Sequence, residues 1–317
     1  MQKDRRDFNE NGKLLGRSYA KASGVAFSLA TIVPVFLAFL VLRIVTLITA
    51  SYDTKNWFLY LNFLLPQISF ALVVFWFLHY LKISPKQAVV SQKCKLSYFL
   101  LATALQFGLL SLSELNDVFL GFLGKFGYVD NGIILPSMDG FGFVGVLIVV
   151  AILPAVFEEV FFRGVLLRGL RSFGTVGAVL LCGGLFAFYH QNPAQTLYQF
   201  CCGAAFALLA VRAGSILPSV VSHFLNNAFI LILYKMEIAT IPTGVFVPFI
   251  ILSAISLVFS LVYLVFFAKK NKTACLEKTE EKTEEKSERG RFLVCSATGI
   301  VLCVFIWLTT LVSGFGG

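Results

Sequence analysis

Two adjacent glutamates are the residues most able to do chemistry in this sequence. Of the 17 acidic residues, only Glu158 and Glu159 lie deep in an apolar stretch. A charge at the centre of a membrane helix costs about 2.5–3.5 kcal/mol on insertion scales, so a functional role is expected for both. Arg163 follows Glu159 by four residues, which places these two on one helix face where they can pair. Glu158 points about 100° away and is left free to act as an acid or base. The alternative is a salt bridge that only fixes helix packing, with Glu158 facing a polar groove.

Two of the three histidines lie in further apolar stretches. His190 ends one stretch. His223 lies in another, four residues before Asn227, so these two project from one helix face. Imidazole and carboxamide groups can bind a metal ion or polarise a carbonyl group. A single intramembrane histidine is more typical of packing, but two of them with a glutamate pair indicate one shared site. His79 is assigned no function.

A proline lies one turn before the glutamates. Pro154 cannot donate a backbone hydrogen bond and favours a kink, which leaves the carbonyl oxygen of Val150 in need of another donor. A bent helix at this point could open a wet pocket beside Glu158.

The composition indicates which elements must position these residues. The 317 residues are 58% hydrophobic and 14% charged, whereas a soluble domain is about half apolar and a quarter charged. The apolar residues fall into blocks of about 17–25, each long enough to cross about 30 Å of hydrocarbon as a helix. We therefore predict an all-α polytopic membrane protein with spans at 25–49, 57–81, 96–113, 142–167, 173–191, 194–211, 215–233, 245–268 and 292–313.

The positive charge follows the membrane topology. The net charge is +9, and 22 of the 26 basic residues lie on alternate connections between the predicted spans. The positive-inside rule then places the N-terminus in the cytoplasm. No basic stretch is interleaved with aromatic residues, so nucleic-acid binding is not predicted. We expect an integral protein of a lipid bilayer, and of a bacterial cell membrane because features of a eukaryotic organelle resident are lacking.

The pattern along the chain predicts eight helices in one bundle and a ninth appended to it. In the longest external connection, 114–141, the apolar piece Val118–Phe126 is too short to cross and is predicted to lie on the membrane surface. Like charges recur every four residues before the last span, which disfavours a helix and predicts a solvated linker. The predicted parts are a cytoplasmic basic arm (1–24), the bundle (25–268), a charged cytoplasmic linker (269–291) and an additional transmembrane helix (292–317).

Three motifs together resemble a known family. Glu158-Glu159-x-x-x-Arg163, Phe186-x-x-x-His190 and His223-x-x-x-Asn227 occur in that order on three apolar segments. This pattern resembles the CPBP family, which comprises the CAAX-protease and bacteriocin-processing (Abi) intramembrane endopeptidases. The resemblance covers about residues 140–235 and includes Ala-Gly-Ser-Ile-Leu-Pro-Ser before the third motif.

The resemblance implies a helical bundle that cleaves a peptide bond of a membrane-associated protein or peptide inside the membrane. Glu158 would activate water as the general base, with His190 beside it, while Glu159 pairs with Arg163. His223 and Asn227 would bind a metal ion or stabilise the oxyanion. A zinc enzyme and a metal-free, glutamate-dependent enzyme both remain open. In the zinc case Glu158, His190 and His223 would be a valid set of three ligands.

Two other functions fit parts of the pattern. One is a transporter that uses the intramembrane glutamates, arginine and histidines as a proton relay. The motifs all lie in one half of the chain, whereas repeat-built transporters place their sites between paired halves. The other is a non-catalytic self-immunity or interaction protein, and the intact motif residues argue against it.

Overall fold

The computed structural model describes residues 18–49, 51–85, 94–130, 132–237, 242–268 and 282–316. Within these ranges the protein is helical, and nine helices are long and apolar enough to cross a membrane. The prediction of an all-α polytopic fold is confirmed. The helices are α1 (Tyr19–Ile48), α2 (Asn56–Leu81), α3 (Leu96–Gly124), α4 (Gly142–Gly169), α5 (Arg171–Tyr189), α6 (Pro193–Ala213), α7 (Leu217–Lys235), α8 (Thr243–Phe267) and α9 (Lys282–Ser313).

Helix α3 is longer than its sequence pattern predicts. It continues through a short 3₁₀ stretch, Leu110–Leu112, into Ser113–Gly124. The predicted end of this span at residue 113 is therefore wrong, because no proline interrupts the chain here and the helix runs on to Gly124. A position of Val118–Phe126 on the membrane surface stays a prediction. The extension is held against the bundle, where Asn116 donates a side-chain hydrogen bond to the carbonyl oxygen of Ala194.

Helix α9 begins before the last predicted span. It starts at Lys282 and so includes part of the segment assigned to a charged linker, 269–291; residues 269–281 and the arm up to residue 17 lie outside the described residues. Tertiary contacts support this early start. Arg289 Nε donates to the carbonyl oxygen of Ser172 at 2.6 Å, and the Ser18 hydroxyl donates to Glu288 Oε2 at 2.5 Å.

Helix α4, which carries the glutamates, is packed by aromatic rings. Phe161 and Phe162 follow the glutamate pair and are fully buried. Phe70 of α2 contacts both rings, with centroids 4.9 and 6.1 Å away. Phe162 also contacts Phe186 of α5 at 5.0 Å. These contacts fix the rotation of α4 between α2 and α5, and with it the direction of each glutamate.

Small residues bring α1 and α9 into close contact. A Cβ atom on Gly24 would lie 2.7 Å from the carbonyl oxygen of Phe292, and one on Gly299 would lie 2.8 Å from the Cα atom of Ser28. The Ser28 hydroxyl bridges the helices: it donates to the carbonyl oxygen of Cys295 at 2.8 Å and accepts from the backbone N–H of Gly299 at 3.1 Å. Such close backbone approach is typical of helix pairs in membranes.

We predict that Gly24→Ala lowers the melting temperature, because the added methyl group must separate α1 from α9. Overpacking of this kind costs about 1–3 kcal/mol. Gly184→Ala is the matched control, since a Cβ atom there meets nothing within 4 Å. That change should be neutral or stabilising by roughly 0.5–1 kcal/mol in a helix interior. Equal melting temperatures for the two variants in detergent would contradict the close contact.

Candidate active site

Glu159 and Arg163 form a fully buried ion pair, as their spacing predicts. Arg163 Nη1 donates to Glu159 Oε1 at 2.7 Å, and both side chains are 0% exposed. The second guanidinium nitrogen, Nη2, donates to the carbonyl oxygen of Gly203 in α6 at 2.9 Å. The guanidinium also lies over the rings of Phe186 and Phe206, at 4.7 and 5.4 Å from their centroids. Arg163 therefore joins α4 to α5 and α6 at one level of the bundle.

His223 of α7 completes this charged group. Its Nδ1 lies 3.0 Å from Glu159 Oε1, the same oxygen that accepts from Arg163. Because Arg163 favours the ionised carboxylate, Nδ1 carries the proton and donates. The other ring nitrogen, Nε2, then faces Glu158, at 3.9 Å from Oε2. That distance is too long for a hydrogen bond, so Nε2 and the carboxylate are neighbours that are not bonded to each other.

Glu158 makes fewer polar contacts than Glu159 and is slightly more exposed. It is 8% exposed, whereas Glu159 is 0% exposed. Its Oε2 atom is buried and has no hydrogen-bond partner among the described residues. The Oε2 atom of Glu159 also has no hydrogen-bond partner among the described residues, but its Oε1 atom accepts hydrogen bonds from both Arg163 and His223. A buried carboxylate oxygen without a donor is costly unless water or substrate supplies one.

His190 lies where α5 ends, as the C-cap residue of that helix. Its Nδ1 is 2.8 Å from the carbonyl oxygen of Phe186, so Nδ1 carries a proton and Nε2 is left with a lone pair. The Phe186 ring contacts both imidazoles, at 4.7 Å from His190 and 5.8 Å from His223. One phenylalanine ring of α5 therefore contacts both histidines.

Asn227 supplies the donor that the proline removes. Its Nδ2 donates to the carbonyl oxygen of Val150 at 3.0 Å. Pro154 follows a π-helical stretch, Leu147–Ile152, and a second π-helical stretch begins directly after Glu159. π-Helical turns inside α-helices are frequent at functional sites. The carboxamide has two N–H groups, so one remains available for another acceptor.

A second polar network supports Asn227 and was missed from the sequence. The Oδ1 atom of Asn226 accepts from Gln106 Nε2 at 2.8 Å and from the Tyr198 hydroxyl at 2.7 Å. The Nδ2 atom of Asn226 then donates to Asn227 Oδ1 at 3.1 Å, which turns the Asn227 N–H groups towards α4. Gln106 and Asn226 are 3% exposed in apolar helices. Buried polar residues in such helices were the available signal.

The predicted metal ligands are not gathered around one point. Among the residues that the structure describes, no group of three or more His, Cys, Asp or Glu side chains has the spacing needed to hold a metal ion. The set Glu158, His190 and His223 therefore does not fit a zinc site in this arrangement. A divalent metal stays a prediction, and no step below depends on one.

The segment that contains the candidate site residues matches a known protein family. Residues 140–229 match the family model described as Rce1-like, type II CAAX prenyl endopeptidase Rce1-like. The resemblance to the CPBP family is confirmed. The matched segment runs from just before α4 into α7 and contains all six candidate site residues, while α1–α3, α8 and α9 lie entirely outside it. The match supports a CAAX-type protease that acts within a membrane. No curated protein and no solved structure matches the chain.

We predict that Arg163→Met destabilises the protein strongly, because it leaves the Glu159 carboxylate buried without its cation. Removing one partner of a buried pair costs about 3–5 kcal/mol. The double variant Glu159→Gln/Arg163→Met has no unpaired charge and should recover part of the loss. Thermal unfolding in detergent measures both. A single variant as stable as the wild type, or a double variant less stable than the single, would contradict the pairing.

Proposed function

We propose that the protein is an intramembrane endopeptidase that hydrolyses a peptide bond of a membrane-associated protein or peptide with water activated by Glu158. The observation that carries this proposal is the difference between the adjacent glutamates. Each glutamate has a buried Oε2 atom without a hydrogen-bond partner among the described residues, but Glu159 accepts hydrogen bonds from Arg163 and His223 through Oε1, which leaves Glu158 as the free carboxylate. A general base needs a free lone pair that can reach a water molecule.

The contacts suggest how the water is held. One hydrogen of the water points to the Glu158 carboxylate and the other to Nε2 of His190. Nε2 can accept it because the proton of the His190 ring is on Nδ1, which donates to the carbonyl oxygen of Phe186. As the water oxygen attacks the carbonyl carbon, Glu158 takes one proton. The tetrahedral intermediate then collapses with cleavage of the C–N bond, and Glu158 returns that proton to the leaving amine.

The negative oxygen of the intermediate needs donors that are fixed in advance. Asn227 gives one N–H to Val150 and has a second for the oxyanion. Asn226 holds the carboxamide in this orientation through its bond to Oδ1. His223 gives its Nδ1 proton to Glu159, so its Nε2 carries a lone pair and does not donate to the oxyanion. The Asn227 donor is fixed in a water-poor interior, where it is worth more than in water.

The orientation in the bilayer is part of the proposal. We infer that the N-terminus is cytoplasmic from the 22 basic residues on alternate connections, and that the bilayer is a bacterial cell membrane. Helices α1–α8 would form the protease bundle, with α9 added to it. The substrate would then meet Glu158 from within the membrane.

The direct experiment compares peptide termini in membrane fractions from cells that carry the wild type or Glu158→Gln. We expect termini that appear only with the wild type, and a rate at least about 100-fold lower for the variant, because an amide cannot accept the proton. Glu237→Gln, at an exposed position, is the matched control. Both variants should be expressed and folded like the wild type.

Persistence of the same termini with Glu158→Gln would contradict the mechanism. Absence of any difference would favour the other two functions. Ion-gradient-dependent flux in vesicles would then indicate a transporter, and complementation by the Glu158→Gln variant would indicate a self-immunity or interaction protein.

We further predict that Asn227 has two separable roles. Asn227→Ala should lower the melting temperature, since Val150 loses its donor at a cost of about 1–3 kcal/mol. It should also slow cleavage by about 10²–10³-fold through loss of the oxyanion donor. Adding Pro154→Ala restores a backbone N–H for Val150, so the double variant should regain stability but not cleavage. The reference is Pro154→Ala alone. If cleavage returned together with the melting temperature, the role of Asn227 would be only structural.

A further inference from the structure

The turn that carries His190 is held by helices outside residues 140–229, the segment that matches the family model. Helix α5 ends at Tyr189 and α6 begins at Pro193, so only three residues join them. The first of these is His190, whose Nε2 must stay beside Glu158 in the proposed mechanism. Nothing in a three-residue connection fixes a side chain by itself, so the contacts around it decide where the imidazole lies.

Helix α9 contacts this turn on both sides of His190. Trp307 Nε1 donates to the Thr196 hydroxyl at 2.7 Å, and that hydroxyl donates to the carbonyl oxygen of Asn192 at 2.9 Å. The Trp307 ring also packs edge-on against Phe188, with centroids 6.0 Å apart. One indole therefore touches the residue two before His190 and, through Thr196, the residue two after it.

Two further features show that the turn is held from outside. Gln191 has a φ of +53°, a left-handed conformation that is unfavourable for a residue with a side chain. Such a conformation persists where the surrounding structure imposes it, and it is concentrated at functional sites. From the other side, Asn116 of the α3 extension donates to the carbonyl oxygen of Ala194. The α3 extension and α9 thus hold the turn between them.

We propose that Trp307 is a positioning residue of the active site, and that α9 serves to hold the 190–196 turn so that His190 stays beside Glu158. This proposal rests on the proposed function of Glu158 and His190. It assigns a role in catalysis to a helix that lies outside the matched family segment. Trp307 acts through Thr196 and Phe188, and it does not touch the reacting atoms.

The anchoring of α9 does not depend on this contact. The helix is held on α1 by the close approach at Gly299 and by the two hydrogen bonds of Ser28. Loss of one N–H donor at position 307 therefore leaves the helix in place. This separation allows a positioning effect to be measured apart from stability.

The test uses full-length Trp307→Phe, which keeps an aromatic ring against Phe188 but removes the N–H donor. Thr196→Val removes the acceptor with little change in shape, and Thr196→Ser keeps the hydroxyl. Phe305→Leu, at a position of α9 that is 61% exposed, is the control. The substrate is a synthetic peptide that spans the cut site found in the comparison of wild type with Glu158→Gln.

We expect Trp307→Phe and Thr196→Val each to lower kcat by about 10-fold or more, because small displacements of a catalytic group are costly. KM should stay within about twofold and the melting temperature should stay near that of the wild type. The double variant should be no worse than Thr196→Val alone, since that change already removes the bond from Trp307 together with the bond to Asn192. Thr196→Ser and Phe305→Leu should resemble the wild type.

A second measurement needs no substrate. The chain has only three histidines, so ¹⁵N-histidine NMR of the protein in detergent can follow each ring. Trp307→Phe should shift the signals of His190 and leave those of His79 unchanged. An unchanged His190 spectrum, a wild-type kcat in both variants, or a fall in kcat that only follows the melting temperature would overturn the proposal. If the wild type and Glu158→Gln gave the same termini, the proposed function would fail instead.

Discussion

A guanidinium group buried in an apolar bundle must be neutralised and hydrogen-bonded, and the rest of the site depends on how this is achieved. Arg163 is fully buried, pairs with Glu159 and donates to Gly203. The pairing commits Glu159 to a charge-balancing role, and the same Glu159 oxygen then accepts from His223 of α7. Three helices are fixed around one cation. The neighbouring glutamate, Glu158, accepts no hydrogen bond among the described residues, and its Oε2 atom lies 3.9 Å from Nε2 of His223.

Much of this arrangement could be predicted from the sequence because it is local. Each span is an uninterrupted apolar stretch of sufficient length, so the number of spans and their approximate positions follow from hydropathy alone. The pairing of Glu159 with Arg163 follows from a four-residue spacing on one helix. The carbonyl oxygen of Val150 needs a hydrogen-bond donor from outside its own helix, since Pro154 lacks the backbone N–H group. These inferences use neighbours within one or two helical turns.

What could not be predicted depends on contacts between distant segments. No local pattern indicates that Asn227, 77 positions away, supplies the donor for Val150. The same is true of the bond from Trp307 to Thr196. The predicted C-terminal end of α3 and the predicted N-terminal end of α9 are wrong for this reason. Apolar periodicity ends before these helices do, and contacts such as that of Arg289 with Ser172 continue the helix beyond the pattern.

The two adjacent glutamates have different roles, Glu159 in structure and Glu158 in chemistry. The most direct measurement is the thermal unfolding of Glu158→Gln and Glu159→Gln, compared in the same detergent without any substrate. Glu158→Gln should melt at or above the wild-type temperature, because it replaces a carboxylate whose buried Oε2 atom has no hydrogen-bond partner among the described residues. Glu159→Gln should melt well below it, because Arg163 is left buried without an anion. The reverse order would contradict the account.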